Sequence, residues 1–278
     1  MKGMLAMARD LKMPSFDLTG KTIIVTGGTK GLGMGIAATV AYYGANVVLT
    51  ARTAPDCAAM AEEITRKYVR GGNKVVGIPA DSSKQADIDN VIAKTVEMFG
   101  ELNIMVNNAG ISGKTAKILT DECDEANFDK VINTNLKGVF LFAKAAAKQM
   151  VAQGKGGKII NIASVGGLVG GPGVVAYGAS KAGVISLTKT MGNEFGRDGI
   201  NVVAICPGYV VTPLNEDVFL DADGNHTKVY ELSAKNTAVR RLGEIEEIAG
   251  PVCALCSDCF SYMTGTTMVI DGGQTIGR

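Results

Sequence analysis

The sequence predicts a doubly wound α/β fold, one parallel sheet of about seven strands with helices on both faces, and three observations predict it. Short Val/Ile-rich runs recur along the 278 residues without polar alternation, as strands buried on both faces of a parallel sheet require. Amphipathic helical stretches separate these runs, and such alternation with short connections selects a parallel sheet with helices on both sides. A glycine-rich turn at residues 26–33 stands directly between the first apolar run and the first helical stretch.

In chain order, strands are predicted at 22–26, 46–51, 74–79, 104–107, 158–163, 201–206 and 267–270. Helices are predicted at 32–43, 56–68, 86–99, 126–152, 177–195 and 244–256. No Pro-, Gly- or Ser-rich linker divides the pattern and no repeat of solenoid length is visible. Residues 21–278 therefore read as one domain behind an extension, 1–20, in which Met1, Met4, Leu5 and Leu11 make a weak helix face. Residues 213–239 break the alternation after the sixth strand. An insertion at the carboxyl edge of a parallel sheet is placed to serve as a substrate lid.

Bulk properties exclude several classes. Lys and Arg number 28 against 27 Asp and Glu, which gives no drive toward nucleic acid or an anionic membrane surface. No charge falls between Lys158 and Lys181, a stretch long enough to span a bilayer. It also holds Asn161, Ser164, Pro172 and several glycines, so a strand, a loop and a helix start fit it better than a membrane helix. The first residues lack the continuous apolar core of a signal peptide. Cys57, Cys123, Cys206, Cys253, Cys256 and Cys259 are accordingly read as reduced, and the protein as cytoplasmic.

The glycine-rich turn reads Thr26-Gly27-Gly28-Thr29-Lys30-Gly31-Leu32-Gly33. A turn this tight, opening a helix, brings backbone N–H groups and a helix N-terminus against a pyrophosphate. The second strand then ends Leu49-Thr50-Ala51-Arg52-Thr53, without the carboxylate that holds the ribose 2′-hydroxyl of NAD. A guanidinium at Arg52, with Lys30 adding a second charge, suits a 2′-phosphate instead. The expected cofactor is NADP(H).

Tyr177 and Lys181 lie four residues apart on a predicted helix and share one face. A nearby ammonium favours the phenolate and is expected to lower the phenol pKa, which suits proton exchange with a carbinol oxygen. Ser164, at the end of the fifth strand, is placed to hold the same oxygen.

With these residues in view, the sequence resembles the short-chain dehydrogenase/reductase family, a Rossmann-type fold, from Leu18 to the end. The matching motifs are Thr26–Gly33, Asn107-Asn108-Ala109-Gly110, Asn135 in Asn-Leu-Lys-Gly, Ser164, Tyr177 with Lys181, Pro207-Gly208 with Thr212, and Asp271-Gly272-Gly273. The resemblance implies Tyr177 as general acid/base, Ser164 polarising the substrate oxygen, Lys181 on the nicotinamide ribose, and Asn135 positioning a water in the proton relay. It implies cofactor contacts from Gly27, Thr29, Lys30, Gly31, Leu32, Gly33 and Arg52, from Asp81 and Ser82 near the adenine, and from Asn108, Ala109 and Gly110. Pro207, Gly208, Val210 and Thr212 would line the nicotinamide amide. It further implies self-association, as a dimer or tetramer, through helices 126–152 and 177–196.

Two features read more plainly as structure than as sites. Cys253, Cys256 and Cys259 repeat at a spacing of three, which fits one packed helical face; a tetrahedral metal site would need a fourth ligand. His226, in the lid segment, reads as solvent-facing, and no metal is expected. The substrate is a small hydroxy or keto compound. Leu168, Val169, Val174, Leu214, Val218 and Phe219 suggest an apolar lining for a hydroxysteroid or another alicyclic alcohol. Alternatives are a sugar or polyol, on Asn215, Glu216 and Asp217, and a 3-oxoacyl-(acyl carrier protein) reductase. Asp198, beside Arg197 and not far from Lys155, speaks against the carrier-protein reading. From another class, a nucleotide-binding regulator without catalysis conflicts with the intact Asn135–Ser164–Tyr177–Lys181 set.

Overall fold

The computed structural model describes residues 13–213 and 215–276; the helix face expected from Met1, Met4, Leu5 and Leu11 and the lining expected from Leu214 lie outside them. Seven strands form one sheet: β1 (Thr22–Thr26), β2 (Asn46–Ala51), β3 (Val75–Pro79), β4 (Ile104–Asn107), β5 (Gly157–Ile162), β6 (Ile200–Pro207) and β7 (Thr266–Ile270). Their order is β3-β2-β1-β4-β5-β6-β7, and every pairing is parallel. The strands carry continuous apolar runs because both faces are covered. Val25, Leu49, Val106 and Ile162 pack on one face, while Ile24, Val48, Met105 and Ile159 pack on the other.

Helices α1 (Gly31–Tyr42), α2 (Ala54–Tyr68) and α9 (Ile245–Cys256) supply residues to the first face. Helices α3 (Gln85–Phe99), α5 (Gly138–Gln153) and α6 (Val175–Phe195) cover the second. Strand order reverses between β1 and β4, so a crevice opens at their carboxyl ends, the position where ligands bind in open α/β sheets.

The helix expected at 126–152 runs unbroken from Glu125 to Gln153, but with a π-helical turn at Asn133–Lys137 between α4 (Glu125–Ile132) and α5. The wider turn brings Asn135 inward, where both ends of its amide bond the Ile111 backbone. The insertion at 213–239 contains two short helices not expected from sequence, α7 (Glu216–Phe219) and α8 (Lys228–Lys235). Thr227 caps α8 by accepting from the Tyr230 amide at 3.2 Å, which satisfies one of the donors a helix start leaves free. Phe219 is 6% exposed in a small cluster with Leu242 and Ala234, flanked by Tyr209 and Tyr230.

Candidate active site

At the turn after β1, Gly27 (φ 64°) and Gly31 (φ 51°) adopt left-handed backbone, which glycine enters without steric cost. A Cβ on Gly33 would lie 2.1 Å from the Gly27 carbonyl oxygen, so any side chain there would push the turn open. Helix α1 then starts at Gly31 with no acidic residue in its first turn, leaving its free N–H groups and positive dipole end unopposed. Thr29, Lys30 and Leu32 complete this cradle.

The Thr26 hydroxyl, whose role the sequence reading missed, ties the cradle to the next strand. It accepts from the Asn108 and Ala109 amides, at 3.0 Å each, while Asn108 Nδ2 donates to the Thr26 carbonyl at 2.9 Å. Gly110 follows; a Cβ there would stand 3.3 Å from Asn135 Oδ1 and 3.6 Å from Lys181 Nζ. On the far side, Thr212 Cβ would be 3.4 Å from a Cβ on Gly31, so the loop after β6 reaches across to the glycine turn. Gly208 is packed too closely on Asp271 for any Cβ, with 2.7 Å to its Cα, while Gly272 (φ 59°) and Gly273 (φ 80°) of the Asp271-Gly272-Gly273 motif take left-handed backbone. Pro207 closes β6 beside it. Val210 is buried in the core and its carbonyl accepts from Asn215 Nδ2 at 3.0 Å, so any cofactor contact there would come from its amide.

Arg52 and Lys30 are both exposed, and neither forms an ion pair among the described residues. Asp81, one strand further, accepts from the Ser83 amide at 3.0 Å and the Ser83 hydroxyl at 2.7 Å. These bonds hold its carboxyl below the usual range, with smaller help from Lys84 and Arg52. Ser82 lies against Gly138 at the start of α5. The cradle without side chains fits the close approach of a dinucleotide pyrophosphate, and the exposed Arg52 and Lys30 stand beside it.

At the other end of the crevice, Tyr177 and Lys181 project from α6. Lys181 is 4% exposed; its Nζ donates to the Ile162 carbonyl at 2.7 Å and stands 5.7 Å from the Tyr177 ring centroid. Ser164 follows β5, and its Oγ accepts from the Gly166 amide at 3.0 Å. A Cβ on Gly166 would be 3.4 Å from both Ser164 Oγ and Tyr177 Cε1, so serine and phenol face one small space. Asn135 is fully buried. Its Oδ1 accepts from the Ile111 amide at 2.8 Å, and its Nδ2 donates to the Ile111 carbonyl at 2.8 Å and to Ser180 Oγ at 3.2 Å. With the amide so engaged, a water held by Asn135 would have to sit on its backbone.

The electrostatics correct one expectation. Burial raises the Tyr177 phenol, and Ser164 offsets this only in part. Burial also lowers Lys181, to about 8. Desolvation penalises both charged forms, and it outweighs the lowering of the phenol that the Tyr–Lys spacing alone suggested.

Beside Tyr177 runs a narrow cleft lined by the polar Ser112, Lys114, Asp124 and Asn127 and by the apolar Ala116, Phe128, Val174 and Val175; of these only Val174 was expected from sequence. Lys114 Nζ bonds Asp124 at 2.6 Å, and its amide donates to Asn127 Oδ1 at 2.8 Å. The expected apolar lining is weaker than predicted, because Phe219 is spent in the packing of its own segment. His226 is exposed and stacks on Tyr230, ring centroids 3.5 Å apart.

Cys253 and Cys256 are core residues of α9; burial raises Cys253 to about 11 and Cys256 further still. Cys259 does not share their helix. It lies in the following 3-10 turn, where its thiol meets the Ser15 carbonyl at 3.2 Å. No helix among the described residues is long and apolar enough to cross a membrane.

Comparison with known proteins places this arrangement. A family model described as enoyl-(acyl carrier protein) reductase matches residues 26–275. The chain belongs to the short-chain dehydrogenase/reductase family and is an oxidoreductase of that class. Among its relatives, L-rhamnose-1-dehydrogenase of Scheffersomyces stipitis is 36% identical over 256 residues, covering 92% of this chain and 96% of that one. The 2-dehydro-3-deoxy-D-gluconate 5-dehydrogenase of Escherichia coli K12 is 36% identical over 261 residues, with 94% and 98% covered. The solved structure of levodione reductase superposes with a TM-score of 0.86 at 35% identity, covering 94% of this chain and all of that one.

Proposed function

We propose that this chain is an NADP(H)-dependent dehydrogenase that interconverts a secondary alcohol and its ketone, with a sugar or another polyhydroxylated compound as substrate. The convergence of Ser164, Tyr177 and Lys181 on one space at the carboxyl edge carries the reading. In the oxidative direction Tyr177 takes the hydroxyl proton while the carbinol C–H leaves as hydride and the C=O bond forms. The nicotinamide, when bound, supplies the hydride acceptor, or the donor in reverse. Ser164 orients the reacting oxygen, and Lys181, anchored on the Ile162 carbonyl, would hold the nicotinamide ribose of the cofactor. The raised phenol keeps Tyr177 protonated near neutral pH, which favours its acting as acid in ketone reduction.

The cofactor choice rests on Arg52, at the end of β2 where an NAD enzyme carries a carboxylate, and on Lys30 in the glycine turn; neither has an ion-pair partner among the described residues. A polar substrate is favoured by the sugar and sugar-acid names of the relatives above, and the cleft beside Tyr177 offers it Ser112, Lys114, Asp124 and Asn127 among apolar neighbours. Leu168 and Val218 are exposed, while Phe219 is packed within its own segment. Residues 213–239 act as lid in this reading. The chain self-associates through α5 and α6, since Phe140 and Val151 stand exposed on α5, and it works in the cytoplasm, where its buried thiols stay reduced.

A panel of aldoses, sugar acids, steroid alcohols and β-hydroxyacyl thioesters, each with NADP+ and NAD+, tests the proposal. Turnover with sugars and NADP+ is expected. Preference for a steroid or thioester would overturn the substrate, and preference for NAD+ would overturn the cofactor.

A further inference from the structure

Helix α6 is fixed to β5 at two levels, and only one of them belongs to the reaction chemistry. Tyr177, Lys181, Val184 and Thr188 fall within about 60° of one another around a helix of 3.6 residues per turn, so they form one stripe facing the sheet. Lys181 makes the upper contact, to the Ile162 carbonyl. Thr188, fully buried, makes the lower one: its Oγ1 accepts from Asn161 Nδ2 at 2.9 Å and donates to the Val184 carbonyl at 2.9 Å. Asn161 Oδ1 in turn accepts from Asn107 Nδ2 on β4 at 2.9 Å.

The row Asn107–Asn161–Thr188 thus crosses two strands and a helix inside the core. Above it lie Ala163, Val184 and Cys206; below it lie Met105, Ile159 and Val202. Burying such a row is worth less to stability than packing apolar side chains of similar volume. What it provides is direction: apolar surfaces can slide, whereas this chain of hydrogen bonds has one register. Asn161 and Ile162 are neighbours in β5, and Ser164 is two residues further on. The contact at Thr188 therefore fixes α6 along the same strand that delivers Ser164.

We infer that Thr188 is a positioning residue, which through Asn161 and Asn107 sets the axial register of α6 and so the placement of Tyr177 against Ser164. This rests on the reading of Tyr177 as the proton-transfer group. Displacing a reacting group by about 1 Å costs on the order of a hundredfold in rate. Breaking the register is therefore expected to act on turnover far more than on cofactor binding, because the glycine turn and Arg52 lie on other elements and Lys181 keeps its own bond to the Ile162 carbonyl.

The test is Thr188→Val, which keeps the shape and removes the hydroxyl, assayed well below its melting temperature. Expected are a fall in kcat of about ten- to hundredfold, an NADPH dissociation constant within about twofold of the parent, and recovery of most of kcat in Thr188→Ser. Val184→Ala provides the control for stability alone, since it opens a cavity on the same stripe and leaves the row intact. If Thr188→Val keeps its kcat, or Val184→Ala at a matched drop in melting temperature loses as much, the inference is overturned. Should Thr188→Val fail to fold, Thr188→Cys replaces it, the thiol being a poor hydrogen-bonding group. Tyr177→Phe is run in parallel. Full activity there overturns the acid–base reading and this inference with it, whereas an inactive Tyr177→Phe beside a normal Thr188→Val overturns the positioning role alone.

Discussion

Lys181 and Arg52 are two cations near the carboxyl edge of one sheet, and they are held in opposite ways. Lys181 is buried, bonded to the Ile162 carbonyl and lowered to about 8. Arg52 is exposed and has no ion-pair partner among the described residues. The end proposed for proton transfer consists of desolvated groups locked by backbone and side-chain hydrogen bonds. The end proposed for phosphate recognition presents solvated charge. Perturbing the buried end should change turnover by large factors, and perturbing the exposed end should change affinity by moderate, salt-sensitive ones.

The largest effect is expected from Lys181→Met. On the proposed reading it removes a ribose contact and the ammonium 5.7 Å from the Tyr177 ring centroid, so kcat and the KM for NADPH should both worsen, with kcat/KM falling about a thousandfold or more. The same variant reads the cost of burial. The folded pKa of Lys181 lies below its ordinary value, so below about pH 8 the wild type carries the penalty of a buried charge. That penalty is relieved as pH rises from about 8 toward the unfolded value near 10.5, because the unfolded chain then binds more protons. The stability of wild type relative to Lys181→Met should rise through that window, by an amount on the order of 3 kcal/mol in full. Denaturant titrations at several pH values check the sign, and a difference that falls with pH would show that the ammonium is not buried at a cost.

Next in size is Gly33→Ala. Its Cβ would meet the Gly27 carbonyl at 2.1 Å, so the turn must open, and affinity for NADPH and NADH alike should fall by roughly tenfold or more. Fluorescence titration of the two cofactors measures this; equal loss for both separates backbone cradle from charge recognition. Arg52→Ala is expected to be smaller and selective. The KM for NADPH should rise roughly ten- to hundredfold while that for NADH barely moves, and the NADPH preference should shrink as salt is added. An unselective effect would erase the contrast drawn between the two ends. The smallest effect belongs to metal removal: Cys253 and Cys256 are packed in the core, so a chelator should leave turnover and melting temperature unchanged.

The fold was legible because its strands are buried on both faces, which writes the sheet into unbroken runs such as Thr22–Thr26 and Asn46–Ala51. The site residues were legible as motifs, but their environments were not. Nothing in the spacing of Tyr177 and Lys181 reveals that both are desolvated, and that alone reverses the expected shift of the phenol. The π-turn at Asn133–Lys137 was invisible because one inserted residue hardly disturbs a helical apolar pattern. Helix α8 could have been found: Thr227 stands before its first residue as a capping side chain, though the short, polar segment hid it. The polar members of the cleft beside Tyr177, Ser112, Lys114, Asp124 and Asn127, depend on loops brought together by the fold, and no local pattern announces them.

The central claim is that proton transfer belongs to the buried end and cofactor recognition to the exposed one. Tyr177→Phe tests it most directly, because only one hydroxyl is removed and the ring keeps its packing. Turnover should fall by at least about 10²–10⁴-fold, with the NADPH dissociation constant and the melting curve unchanged. Near-native turnover in a folded Tyr177→Phe enzyme would contradict the account.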